Sequence, residues 1–155
     1  MTTAKTTIPN QDGSTMIEHI QRTYKRINAE TLDQGILADL YTADAEFIDP
    51  FHHMKGLATL DVYFKKLYKN VRSIDFEYGE CAQNGDQIFM EWVMTVEHPR
   101  LRGGVPVKLN GVTRFVLEGN KVRIHHDYFD AGQMLYENLP VLGSIIRKIK
   151  DRMAK

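Results

Sequence analysis

Two aspartates and two pairs of adjacent histidines are the residues of this sequence best suited to chemistry. Asp49 lies in Ile48-Asp49-Pro50, and Asp127 lies in the run His125-His126-Asp127-Tyr128-Phe129-Asp130. If the second run is extended, residues two apart share a face, so His125 and Asp127 point the same way. A carboxylate bonded to an imidazole can orient an acid–base pair. Plainer readings stand beside these. An aspartate before proline can close a turn by bonding its own backbone, and Asp127 can be a solvated charge on an alternating strand. Neighbouring histidines on a strand face opposite ways, so neither His125-His126 nor an extended His52-His53 readily shares one ion, and no metal is expected. The single cysteine, Cys81, allows no internal disulfide and no multi-thiolate zinc site. It also lacks the histidine-paired setting of a nucleophile. No glycine-rich phosphate fingerprint follows a strand, so no nucleotide or redox cofactor is implied.

These residues must be positioned by helices in the first half and strands in the second. Thr15 and Glu18 fit a capping box, followed by Met16, Ile20, Tyr24 and Ile27 at helical spacing. A second short helix is expected with Asp33 as its cap and Ile36, Leu37, Leu40 and Tyr41 on one face. A short strand over 46–49 stops at Pro50. After Gly56, a third helix buries Leu57, Leu60, Phe64 and Leu67. Alternating runs then mark strands: Ile74 to Tyr78, Ile88 to Glu97, Leu109 to Leu117, and Val122 to Phe129 after the turn Glu118-Gly119-Asn120. Such long period-two patterns argue antiparallel strands with two different faces. The tail is helical again, with Leu135, Leu139, Leu142, Ile145, Ile146 and Ile149 forming a stripe interrupted at Pro140 and Gly143. Helices followed by long strands indicate an α+β fold.

Composition narrows the function classes. The chain has 155 residues, 43% apolar and 26% charged, as expected of one globular domain. Residues 1–13 read as a disordered arm and 14–155 as a single domain. Basic and acidic residues balance at 20 each, so no global field points to nucleic acid. No secretory leader and no stretch long enough to span a membrane is apparent. With one cysteine, a reducing cytoplasmic location is expected.

Three segments together resemble the nuclear transport factor 2-like superfamily in its SnoaL-like branch. They are Leu40-Tyr41-Thr42-Ala43-Asp44-Ala45-Glu46-Phe47-Ile48-Asp49-Pro50-Phe51 with Gly56; Gly111-Val112-Thr113-Arg114-Phe115 through Gly119-Asn120-Lys121-Val122; and His126-Asp127-Tyr128-Phe129-Asp130. The resemblance covers roughly residues 15 to 135. It implies a cone-shaped, strongly curved antiparallel sheet with N-terminal helices packed in its mouth and a C-terminal helix. Such a cone encloses an apolar cavity suited to a small ligand. Asp49 matches the catalytic base of ketosteroid isomerases. Asp127 matches the aspartate shared by limonene-epoxide hydrolases and SnoaL-type cyclases. A carboxyl in an apolar cavity has its charged form disfavoured, which suits it to proton transfer near neutral pH.

The departures from that pattern set limits. Trp92 and Met94 stand where the hydrolases carry an arginine and a second aspartate. Thr113 stands where the isomerases carry a late-strand aspartic acid. The first-helix tyrosine is Tyr24, although an ungapped alignment brings Thr23 to that position. True epoxide hydrolase or steroid isomerase activity is therefore not expected. The expected function is a SnoaL-like protein whose apolar pocket supports general acid–base chemistry (isomerisation, cyclisation, dehydration or hydration) on a small hydrophobic metabolite. Asp127 would be the principal acid/base, Asp49 its partner and His125 an orienter. Tyr24 and Thr113 would act as hydroxyl donors, and Trp92, Met94, Phe129 and Met134 would line the cavity. The alternatives are a non-catalytic lipid or metabolite binder and a dimeric association module. On the opposite sheet face, Phe89, Val93, Val112, Val116, Ile124 and Tyr128 suggest a homodimer. The basic tail helix is expected to pack on its own protein or a sister subunit, contact with an anionic membrane surface being the alternative.

Overall fold

The computed structural model describes residues 15–153; the arm expected over 1–13 falls outside them. Helix α1 (Met16–Arg26) starts at the anticipated capping box: Glu18 N–H donates to Thr15 Oγ1 at 3.2 Å, and Thr15 N–H donates to Glu18 Oε2 at 2.8 Å. Met16 and Ile20 bury its apolar face. The next segment departs from expectation. Asn28 caps α2 (Ala29–Asp33) by accepting from Thr31 N–H, so Asp33 ends a helix instead of starting one. Gly35, left-handed at φ 79°, then redirects the chain into α3 (Ile36–Leu40). A left-handed residue interrupts a helix and favours glycine, so the expected helix begins after Gly35 as α3, and α2 precedes it as a separate helix that the sequence reading did not include.

Strand β1 (Tyr41–Ile48) begins directly after α3 and is longer than the expected strand. Tyr41 therefore belongs to the sheet and not to a helix face. A short β2 (His53–Lys55) folds back on β1, and Gly56 leads into α4 (Leu57–Asn70), which buries Leu60 and Phe64. Strands β3 (Ser73–Asn84), β4 (Gln87–Glu97), β5 (Val107–Glu118) and β6 (Lys121–Phe129) follow as an antiparallel meander. The six strands order as β2-β1-β6-β5-β4-β3. The sheet is not wholly antiparallel, because β1 runs parallel to β6. β2 occupies one edge of β1, and the last strand returns along the other after the chain has traversed the domain. A parallel neighbour requires a long crossover of this kind. Register breaks between Tyr78 and Cys81 and between Tyr41 and Glu46 sharpen the curvature of the sheet.

The register aligns side chains in rows across the inner face. One row is Met90, Thr113 and Asp127; another is Ile88, Phe115, His125 and Phe47; a third is Trp92, Gly111 and Phe129. Gly111 is required by a close approach: a Cβ there would lie 2.2 Å from the Trp92 indole. Two hydrophobic clusters form the core. One joins the N-terminal helices to β1, α4 and the near part of the sheet. The other gathers Trp92, Met94, Val96, Val107 and Leu109 with Phe129, Met134 and Leu135. Each large apolar side chain fully buried contributes about 1.5–3 kcal/mol.

After β6, Asp130 caps a single turn, α5 (Ala131–Met134), by accepting from the Gly132 and Gln133 N–H groups. A 3-10 turn over Tyr136–Asn138 precedes α6 (Pro140–Met153). The expected apolar stripe of this helix is not buried against the chain: Leu142, Ile145 and Ile149 are exposed, and Gly143 and the half-buried Ile146 make the contact instead. Among the described residues no helix is long and apolar enough to cross a membrane.

Candidate functional site

Where the two clusters meet, the concave face of the sheet, α1 and α4 leave a cavity of about 110 Å³. Apolar cavities on the order of 150 Å³ accept a single benzene ring, so this space suits one compact apolar group. The walls are chiefly aromatic and aliphatic, with Phe47, Phe64, Phe76, Met90, Trp92, Met94 and Phe129 contributing. Tyr24, Thr113, His125, Asp127, Asp49 and Met134 also line it. All the residues that sequence reasoning nominated therefore border one cavity. No lysine or arginine belongs to this lining.

A continuous hydrogen-bonded chain runs through the polar side of the cavity. His125 Nε2 lies 2.8 Å from Asp127 Oδ1, as strand parity requires. The Thr113 hydroxyl donates to the same oxygen and accepts from Trp92 Nε1–H at 2.8 Å. Thr113 thus has its one proton committed to Asp127, which makes it a support for the carboxylate and not a free donor to a ligand. On the other side of the imidazole, His125 Nδ1 lies 2.6 Å from Tyr41 Oη and 3.1 Å from Tyr24 Oη, and the two phenol oxygens are 2.6 Å apart. Asp127 Oδ2 has no hydrogen-bond partner among the described residues.

This geometry assigns the imidazole tautomer. A carboxylate oxygen only accepts, so Nε2 carries the proton toward Asp127 and Nδ1 accepts from a phenol. Burial is the main cause that raises both the Tyr24 and the Tyr41 phenol well above the usual value; Tyr41 and then the Asp127 charge raise Tyr24 further, while the hydrogen bond with Tyr24 pulls Tyr41 back down in part and the Asp127 charge raises it. Both phenols stay protonated and can donate. The rings of Phe47 and Phe115, each with its centroid 4.7 Å from that of His125, fix the imidazole in place.

Asp49 is placed differently. Its Oδ1 accepts from Phe51 N–H and His52 N–H, both at 2.7 Å, and His52 Nδ1 lies 3.1 and 3.2 Å from its two oxygens. It borders the cavity and also closes the turn between β1 and β2, so the two readings of this residue coexist. The histidine pairs separate as expected. His126 stacks on Tyr128 on the opposite sheet face, and His53 bonds Glu46. Among the described residues no group of three or more His, Cys, Asp or Glu is arranged to hold a metal ion.

Tyr41 is the site residue that sequence reasoning missed. Its spacing from Ile36, Leu37 and Leu40 puts it on a helix face, and the Leu40-Tyr41 opening of the first motif is its only signal. Thr23, the other candidate for the first-helix position, is buried away from the cavity, and Tyr24 lines it.

Comparisons with known proteins bear on the architecture. A family model described as SnoaL-like domain matches residues 20–125. Comparison with curated proteins yields no match. Among solved structures, a protein from Catenulispora acidiphila with a ketosteroid isomerase-like fold, in complex with trimethylamine, superposes with TM-score 0.68 at 16% identity, over 81% of this chain and 93% of that one. A putative SnoaL-like polyketide cyclase from Jannaschia sp. gives 0.63 at 16% identity, over 74% and 85%. An epoxide hydrolase from M. tuberculosis, described as similar to limonene-epoxide hydrolase, gives 0.64 at 14% identity, over 77% and 81%. These identities speak for the fold alone. Together with the matched family model, the curved sheet with helices in its mouth makes this chain a member of the SnoaL-like domain family.

Proposed function

We propose that the protein is a cofactor-independent acid–base catalyst acting on a small hydrophobic metabolite, with Asp127 as the principal proton acceptor and donor. The observation that carries this reading is the asymmetry of that carboxylate. Oδ1 is held by His125 and Thr113, while Oδ2 is left without a partner on a cavity-lining residue. A held carboxylate with one free oxygen is oriented before the substrate arrives. Isomerisation, cyclisation, dehydration and hydration all remove a proton at one atom and return it at another, and one such oxygen can do both. His125 holds Asp127 through Nε2–H, Tyr24 and Tyr41 hold Nδ1 of that imidazole, and Asp49, which follows the Ile48–His126 pair on β1, polarises the cavity beside Asp127. The reducing cytoplasm is the compartment we assign, on the single cysteine. A homodimer through Phe89, Val93, Val112, Val116, Ile124 and Tyr128 completes the reading; Phe89 and Tyr128 are exposed. Sedimentation of wild type against Phe89→Glu reads the dimer.

The test is turnover in D2O across a panel of small terpenoid and polyketide-like ketones and epoxides, with deuterium incorporation read by mass spectrometry. Wild type incorporates label into at least one compound. Asp127→Asn lowers the rate by roughly 10²–10⁴-fold, the usual contribution of a general acid–base group, at a nearly unchanged or raised Tm. A fall of many degrees in Tm means that the carboxylate is structural.

A second reading, a non-catalytic binder, is favoured by Asp49 being tied to its own turn. The trimethylamine held by the Catenulispora neighbour and a lining with two carboxylates and no lysine or arginine direct that reading to a neutral or cationic ligand. Aromatic walls suit an organic cation. Native mass spectrometry of protein purified from cells, with trimethylamine as the added probe, reads this. Empty protein with no thermal shift counts against it.

A further inference from the structure

We infer that α6 docks the protein on an anionic lipid bilayer. The helix shows solvent a ladder of large aliphatic side chains. Val141, Ile145, Ile149 and Met153 recur every fourth residue and so share one face, with Leu142 beside them. Their exposures are 74%, 50%, 53% and 84%, and 40% for Leu142. Isolated exposed apolar residues are ordinary, but a contiguous face of this kind marks a contact surface.

The orientation of the face is held by the rest of the molecule. On the opposite side of the helix, Gly143 presses on the 3-10 turn so closely that a Cβ would lie 2.2 Å from Glu137 O. Arg147 donates to that same carbonyl at 3.1 Å, and Lys150 pairs with Glu137 and, at 3.6 Å, with Asp130. These ties prevent the helix from rolling its ladder onto the protein.

Charge selects the occupant. Lys148 and Arg152 lie along the edge of the ladder beside Val141 and Ile145, and neither has an ion pair among the described residues. The one acid of the helix, Asp151, sits in its last turn and away from the ladder. The cores of protein interfaces are depleted in lysine. At a bilayer the aliphatic side chains enter the acyl boundary while lysine and arginine reach back to the phosphates. The chain as a whole has no net charge, so this cationic edge is a local feature. The inference is independent of the acid–base reading. It would place the cavity near a source of apolar molecules, since Met134 of the adjoining α5 lines the cavity.

The experiment is cosedimentation of the full chain with vesicles of mixed phosphatidylglycerol and phosphatidylcholine, against phosphatidylcholine alone. Wild type should pellet with the mixed vesicles, bind phosphatidylcholine weakly, and detach as salt rises. The double variant Lys148→Glu/Arg152→Glu should lose about tenfold or more in affinity, and Ile145→Asp/Ile149→Asp should not pellet. All four positions are exposed, and the Tm of each variant checks that the fold is intact. Equal binding to both vesicle types, or none to either, overturns the inference. So does a wild-type dimer that Ile145→Asp/Ile149→Asp converts to monomer, which would assign the face to a second copy.

Discussion

At the scale of single residues, the imidazole of His125 links both halves of the polar chain. Its Nε2 faces Asp127 and its Nδ1 faces two phenols that burial keeps protonated. Tyr41 does not line the cavity, so it acts through His125 as a positioning residue. Tyr41→Phe removes the nearer donor and should cost about 0.5–1.5 kcal/mol, as for one net hydrogen bond. Tyr24 stays within reach of Nδ1. The combined Tyr24→Phe/Tyr41→Phe variant leaves Nδ1 without a donor, and the ¹⁵N shifts of His125 should then show a redistributed tautomer. Unchanged shifts would mean that the phenols play no part in setting the proton. Strand parity made the His125–Asp127 pair legible in the sequence. The phenol side was not legible, because the partners lie 84 and 101 residues from His125, and no local period relates them.

The elements show the same division between local pattern and long-range pairing. Alternation along β4, β5 and β6 placed Trp92, Met94, Thr113 and Asp127 on one face from sequence alone. It did not say which residue of one strand faces which of the next. Register does, and it sets Trp92 across from Gly111. The glycine of the second motif is therefore a packing requirement. Gly111→Ala should push the indole out of the wall, weaken its bond to Thr113, and destabilise by about 1–3 kcal/mol as overpacking does. Trp92 is the only tryptophan, so its fluorescence reads the displacement directly; an unshifted spectrum would count against this account. The helical segments were less legible. The α2–α3 break depends on a left-handed Gly35, and the burial of α6 depends on which face meets the 3-10 turn.

The whole molecule encloses a set of tyrosines that ties its stability to alkaline pH. Burial raises the phenols of Tyr24, Tyr41, Tyr63 and Tyr78, and pushes Tyr68 up to about 12. An unfolded tyrosine titrates near about 10. Between these values the native state binds more protons than the unfolded one. The stabilisation is full below about pH 10 and is lost as pH rises toward the folded values. The phenolate absorbance of these five tyrosines and loss of far-UV circular dichroism should therefore rise together in an alkaline titration. A phenolate signal from these residues well ahead of unfolding would mean that they are open to solvent.

Sequence alone determined the α+β class and which residues of a strand share a face, because helix and strand periods are local properties of the chain; the cavity and its two candidate carboxylates came from the resemblance of their motifs to the SnoaL-like family. Only the tertiary structure decided that β1 joins β6 in parallel, that Tyr41 and Tyr24 converge on His125, that Asp49 also closes its own turn, and that the α6 ladder faces outward. Each of these depends on which distant segment packs against which, and that is settled by burial and register across the whole fold.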